Sequence, residues 1–216
     1  APDLPHGESR RYFDLMLDHT RRMQRLLDDL LTLSRLESTD HTLKDEPVNV
    51  AELAHALKSE AESLSHGRHR VSLLHDSSAW LKGNLQEIRS ARGNLVSNAV
   101  RYTPDGGEIT LTWREREGEG VFSVTDTGEG IAAEHIPRLT ERFYRVDRSR
   151  SRETGGTGLG LAIVKHVLTR HSERLDIQSI PGKGSTFSVV FPAQRLMNAP
   201  PSATVIPFPA QEKAAG

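Results

Sequence analysis

The sequence predicts an α+β protein, a mixed sheet covered by helices on one face in an α/β sandwich, with one long helix ahead of it. Three observations carry that prediction. Residues 9–37 contain neither glycine nor proline and hold an apolar stripe at helical spacing. Beyond residue 46, short strand-like runs are interleaved with three helical segments. Strong turn signals at 103–107 (TPDGG) and 181–184 (PGKG) punctuate those segments.

The long helix reads from Phe13, Met16, Leu17, Met23, Leu26, Leu27, Leu30, Leu33 and Leu36, an apolar series lasting about eight turns. Ser9 is the expected N-cap, with Tyr12 rather than an acid three positions on, so no capping box forms. A helix this long with one apolar stripe needs a partner, and a bundle or coiled-coil arm is favoured over packing on its own domain. An extended piece follows at 47–50, then a helix over 51–64 and strands at 70–75 and 80–82. A second helix spans 85–101, and strands 108–114 and 120–125 form a hairpin through the Glu/Gly-rich 115–119. A third helix runs over 159–170, and strands 175–179 and 185–190 close the sheet. The chain thus divides into a helical region (1–45), the sandwich (46–193) and a Pro/Ala-rich tail (194–216) that lacks periodicity and is expected to be disordered.

Composition excludes several classes of partner. Lys+Arg 28 against Asp+Glu 29 leaves a formal charge of -1, so no global field attracts nucleic acid or an anionic membrane. With no cysteine, disulfides and thiolate metal sites are excluded, which suits a reducing cytoplasm. No apolar run approaches the roughly 20 residues needed to cross a bilayer, and the chain is expected to be soluble.

Three segments carry chemistry. In GNLVSNAVRYTP (93–104), Asn94 and Asn98 lie four apart on one helical face. A single Asn carbonyl suits magnesium, which keeps several waters and shares phosphate oxygens. Arg101, one turn on, can reach a phosphate and Tyr102 can pack on a base; alternatively this is a helix end with polar residues in solvent. In DTGEGI (126–131), Asp126 at a strand end can accept from an exocyclic amine, while Gly128 and Gly130 let the backbone approach a flat base. The D-x-D-x-D-G spacing of a calcium loop is absent. In ETGGTGLGLAIV (153–164), the glycines at 155–160 lead into a helix start, where backbone N–H groups bind anions. The segment follows charged residues rather than a strand, so it is not the Rossmann turn, and no Walker sequence occurs. Between these lies LTERFYRVDRSRSRE (139–153), whose Arg142, Arg145, Arg148, Arg150 and Arg152 form either a local phosphate-binding patch or a solvated loop.

In this order and spacing the segments resemble the N, G1, F and G2 boxes of bacterial sensor histidine kinases, and GKGSTFSVVFP (182–192) resembles the closing segment of the same domain. DHTRRMQRLLDDLLTLSRLES (18–38) is similar to the second helix of that family's dimerisation and phosphotransfer hairpin. The resemblance implies a Bergerat-type sandwich, as in gyrase-type and chaperone ATPases, with ATP and Mg2+ as cofactors. It further implies that Asn98 ligates the metal, Asn94 supports the phosphate end and Arg101 contacts phosphate; Arg145, Arg148 and Arg150 of the basic patch are further candidates for the nucleotide. Tyr102 would pack on adenine, and Asp126 would accept from its amino group. Gly128, Gly130, Gly156, Thr157, Gly158, Leu159 and Gly160 would shape pocket and lid, Phe143 would be the hydrophobic pivot, and Thr186 would lie near adenine through water. The implied partners are a response regulator and a second copy of the parent in a homodimer. The implied location is the cytoplasmic side of a parent anchored in the bacterial inner membrane.

The sequence departs from the family at the phosphate acceptor. No H-E-x-x-T-P-L-like string occurs; His6 lacks the following acid and proline, and His19 lies on the retained helix. The chain is therefore expected to be the donor part of a longer protein, binding ATP without labelling itself. Met16, Met23, Leu26, Leu30 and Leu33 are expected to be partly uncovered and to drive self-association. Two rivals stand beside this reading. A gyrase- or chaperone-like ATPase would carry a water-activating carboxylate where Asn94 stands, and a non-catalytic module would hold nucleotide and transfer nothing.

Overall fold

In a computed structural model of the chain, the described residues are 6–38, 44–146 and 156–200. The first helix, α1 (His6–Glu37), begins before the expected cap, so Ser9 lies within it. Its last turns are anchored, with Leu33 and Leu36 buried, whereas Phe13, Met16 and Met23 are each more than 60% exposed. Leu33 is thus covered by the chain itself, contrary to the expectation that it would be partly uncovered. The C-terminal end of the helix packs on the domain, and its N-terminal part carries exposed apolar side chains.

After β1 (Glu46–Asn49), α2 (Val50–Ser65) starts where the Asn49 side chain accepts from Glu52 N–H at 3.2 Å. Strands β2 (Arg70–His75) and β3 (Trp80–Gly83) precede α3 (Leu85–Tyr102), which Asn84 caps in the same way. The hairpin β4 (Glu108–Arg116) and β5 (Glu119–Asp126) follows, then a 3-10 turn (Ile136–Arg138), α4 (Gly160–Arg170), β6 (Arg174–Ile180) and β7 (Gly184–Phe191). The main sheet has the order β2-β4-β5-β7-β6; β2 and β4 are parallel and the other pairs antiparallel. Alternation along β5 sends Phe122, Val124 and Asp126 to the covered side and Ser123 and Thr125 to the other. The α+β sandwich expected from the sequence is the observed fold.

Two expectations are corrected. Trp80–Gly83 does not join the main sheet but pairs with β1 and with β8 (Leu196–Met197) in a separate three-stranded sheet. The chain expected to be disordered from 194 is therefore ordered at its start, through a 3-10 turn (Ala193–Arg195) and β8. Arg195 explains this physically. Its guanidinium reaches Asp45 at 2.7 Å, the Lys82 carbonyl at 3.0 Å and the His171 carbonyl at 3.1 Å. A two-residue strand held by one arginine leaves no periodic trace. Residues 201–216 lie outside the described residues.

The core sits between the main sheet and the helices, with Trp113, Phe122, Phe191, Leu95 and Ile163 almost fully buried. Trp113 meets Phe191 edge to face at 5.7 Å. Arg92 enters this core over the Phe191 ring and pairs with Glu173 at 2.6 Å, both side chains being 1% exposed. Removing either partner would strand a buried charge. Among the described residues no helix is long and apolar enough to cross a membrane.

Candidate functional site

The C-terminal end of α3, the loop after β5 and the glycine run before α4 converge. Asp126, the last residue of β5, is buried on the helix-covered side. Its carboxylate accepts the Gly128 N–H at 2.8 Å and a backbone N–H from Ser185. Burial raises its pKa above the ordinary carboxylate value, and those two donors offset part of the rise. A buried acceptor held only by backbone donors retains lone pairs for an incoming amine.

The glycines in this loop serve a purpose that spacing did not suggest. A Cβ on Gly128 would lie 2.4 Å from the Tyr102 carbonyl oxygen and 2.7 Å from Asp126 Oδ1. One on Gly130, whose φ is +67°, would lie 2.1 Å from the Ile180 carbonyl oxygen. They let the loop press against the end of α3 and the β6–β7 turn. Gly182 N–H donates to Glu129 O at 2.7 Å, and Ile131 N–H to Ser179 Oγ at 2.7 Å, fixing the same contact.

On α3, Asn94 donates to the Ser90 carbonyl at 3.0 Å, and its Oδ1 faces Gly160, where a Cβ would come within 2.6 Å. The start of α4 is thus seated directly on Asn94. Asn98 is half-buried one turn on, and among the described residues no side chain holds its amide. Arg101 is hydrogen-bonded to Tyr102; its pKa is lowered first by burial and further by the nearby charges of Arg25 and Arg145. Tyr102 itself is 44% exposed, with its ring free to meet a ligand.

The glycine run is tied at both ends. Arg145 donates to the Gly156 carbonyl, and a Cβ on Gly156 would approach Arg101 to 3.0 Å. Phe143 N–H donates to Gly158 O at 2.9 Å, and Leu159 N–H to Thr157 Oγ1 at 3.3 Å; Leu159 is fully buried. Phe143, the expected hydrophobic pivot, is 55% exposed and held at a left-handed φ of 61°. Leu139 and Tyr144 make the apolar anchorage of that segment instead. Arg148, Arg150 and Gly155 lie outside the described residues.

Thr186 is also corrected. It pairs with Thr125, and their hydroxyls meet at 3.1 Å on the sheet face opposite Asp126. The residue opposite Asp126 and on its side is Ser185, one position earlier, which the sequence reading passed over. Strand parity alone separates the two, and a loop of uncertain length ahead of a strand hides that parity.

Sequence reading also missed the link to α1. Thr157 Oγ1 donates to Asp29 Oδ2 at 2.6 Å, so the first helix reaches the glycine run. Burial raises the Asp29 pKa, against the lowering effects of Thr157 and Arg101. Glu37, on the same helix, pairs with Arg142 and lies 3.3 Å from His166 on α4.

Buried acceptor, half-buried amide and glycine run meet at one end of the sandwich, and similarity to known proteins assigns its class. Residues 83–195, just over half of the chain, match the family described as Histidine kinase-, DNA gyrase B-, and HSP90-like ATPase, and the chain belongs to that family. It is 55% identical over 186 residues to the phosphate regulon sensor protein PhoR of Pseudomonas aeruginosa, covering 85% of this chain and 42% of that protein. It is 38% identical to the protein of the same name from Haemophilus influenzae, covering 82% of this chain and 41% of the relative. The chain therefore spans less than half the length of these curated relatives. Among solved structures, full-length ShkA in complex with AMPPNP superposes with a TM-score of 0.73 at 24% identity, covering 92% of this chain and 41% of that one, which shows shared fold.

Proposed function

We propose that this chain is the ATP-holding, phosphoryl-donating portion of a two-component sensor histidine kinase in phosphate-starvation signalling. The observation that carries the proposal is the convergence of three backbones: Gly128 on Tyr102, Gly156 on Arg101 and Gly160 on Asn94. The donor set fits the nucleotide. Asp126 accepts from the adenine amino group, Tyr102 offers its exposed ring to the base, and Arg101 and Arg145 face the phosphate end beside Gly156. Asn98 offers one carbonyl oxygen to Mg2+, which suits an ion that shares its shell with phosphate and water. When bound, Mg-ATP supplies the electrophilic phosphorus and neutralises developing charge. The protein's work is orientation and charge placement, and a histidine outside these 216 residues accepts the group.

Asn94 supports transfer over hydrolysis. Its amide donates to Ser90 O and abuts Gly160, and an amide cannot take a proton from water as the carboxylate of a gyrase- or chaperone-like ATPase does. The likeness to phosphate-regulon sensors supports a PhoB-like response regulator as the downstream partner, a homodimeric parent, and a cytoplasmic position for this domain beneath a membrane anchor.

The test mixes the chain and Mg-ATP with a separate hairpin bearing an acceptor histidine. An acid-labile phosphate on the hairpin, lost with Asn98→Ala, is the expected result. ATP binding without transfer would favour a non-catalytic module, and steady turnover by the chain alone would favour an ATPase.

A further inference from the structure

The turn between α2 and β2 contains a buried histidine that is not among the nucleotide-facing side chains described above. His69 is 9% exposed and both ring nitrogens are engaged. Its Nε2 lies 2.9 Å from the Thr103 carbonyl oxygen, and its Nδ1 lies 3.1 Å from Ser65 Oγ. A carbonyl only accepts, so Nε2 carries the proton; in the neutral ring Nδ1 then accepts from the Ser65 hydroxyl. Ser65 Oγ in turn accepts the His69 backbone N–H at 2.9 Å. The ring is a fixed strut between the end of α2 and the residue after Tyr102.

The strut lies within a wider strap. Gly106 N–H donates to Arg68 O at 2.7 Å and Arg70 N–H to Gly107 O at 2.9 Å, so residues 68–70 and 103–107 are tied backbone to backbone. Thr103 closes α3 through its N–H and its hydroxyl, both donated to the Ala99 carbonyl. The Tyr102 carbonyl then accepts Glu129 N–H at 3.3 Å and bears directly on Gly128, whose own N–H holds Asp126. A continuous path of hydrogen bonds and close contacts runs from Ser65 through His69, Thr103 and Tyr102 to the Asp126 carboxylate.

We infer that His69 is a positioning residue for nucleotide: it sets the height of the Tyr102 carbonyl and, through Gly128, the place of the Asp126 acceptor. The inference rests on the nucleotide reading of the site. A shift of the Thr103 carbonyl moves Tyr102 and the loop that seats Gly128, so the base end of the pocket is set from the turn that follows α2. Loss of the strut weakens ground-state binding of the base while leaving transfer chemistry, which lies at the phosphate end, unchanged.

The experiment compares wild type, His69→Ala, His69→Gln and Ser65→Ala by calorimetric titration with Mg-ATP at a temperature well below each melting point. Transfer kinetics to a separate histidine-bearing hairpin are measured in parallel. His69→Ala is expected to raise the ATP Kd and KM together by about five- to tenfold with kcat within about twofold, the pattern of lost uniform binding. His69→Gln, whose amide N–H can reach Thr103 O, is expected to recover most of that loss, and Ser65→Ala to show a smaller loss of the same kind. Lower melting temperatures with unchanged Kd across the set would make His69 purely structural and overturn the inference. If His69→Ala does not fold, His69→Gln and Ser65→Ala decide by the same criterion: wild-type Kd in both with Ser65→Ala folded overturns it. Asp126→Asn separates the two levels of argument. Insensitivity of ATP binding to that change would refute the nucleotide reading, whereas sensitivity there with none at His69 refutes this inference alone.

Discussion

Gly128→Ala tests whether close backbone contact, and not loop flexibility, builds the base end of the site. The new Cβ would stand 2.4 Å from the Tyr102 carbonyl oxygen and 2.7 Å from Asp126 Oδ1, where ordinary contact begins near 3.4 Å. One side or the other must move by several tenths of an ångström or more. Overpacking of this size costs about 1–3 kcal/mol. The easier atom to displace is the carboxylate, which then loses the Gly128 N–H now donated at 2.8 Å. A hydrogen bond to a charged group contributes about 1.5–3 kcal/mol. If half or more of the combined cost falls on the bound geometry, the ATP Kd rises about 10- to 100-fold. Titration calorimetry measures the Kd, and thermal unfolding measures the fold. Gly118→Ala, in the turn between β4 and β5, is the matched control. That glycine has φ +80° and nothing within 4 Å of a Cβ, so substitution costs about 1 kcal/mol of backbone strain and leaves Kd alone. A Gly128→Ala protein that binds ATP within twofold of wild type, or a Gly118→Ala protein equally impaired, would refute the reasoning.

Three further outcomes follow from the same geometry. Asp126 has its folded pKa raised by burial, so the fold binds that proton more tightly than the unfolded chain does. The ionised carboxylate therefore lowers stability as pH rises through the interval above 3.8; Asp126→Asn should match or exceed wild-type melting temperature at pH 7 while weakening ATP binding at least tenfold, about 1.4 kcal/mol. His171 is fully buried, and its Nε2 accepts the Asn84 N–H at 3.1 Å while Nδ1 donates to Val167 O at 2.9 Å. Burial lowers its pKa, so its contribution is whole above pH 6.5 and is lost as pH falls below that value; melting curves between pH 7.5 and about 5 should slope down, and His171→Gln should flatten that slope. On α1, Phe13 and Met23 are 69% and 66% exposed, and sedimentation should show self-association at micromolar concentration that Met23→Glu reduces; a monomer at all concentrations would contradict it.

The helices and strands were legible because each follows a local period. Alternation marked the β4–β5 hairpin, and the Leu33–Leu36 stripe marked the end of α1. The order of Asn94, Asn98, Asp126 and the glycines before α4 was equally plain, since each lies at the end of a readable element. Other features required the folded chain. Trp80–Gly83 has the composition of a strand in any sheet, and only its pairing with Glu46–Asn49 on one side and 196–197 on the other decides which. Thr186 and Ser185 are neighbours of like chemistry, and one step of strand parity sends them to opposite faces.

Sequence by itself determined the class of fold, the family boxes and the candidate residues for a nucleotide site, because these rest on short-range spacing. Tertiary structure decided how those residues are held. The glycines press on carbonyls and side chains of other elements, the glycine run reaches Asp29 across 128 positions of sequence, and a buried histidine in the turn after α2 meets the Thr103 carbonyl at the end of α3. Contacts between distant segments leave no periodic signal in the chain, since nothing about either partner alone requires the other.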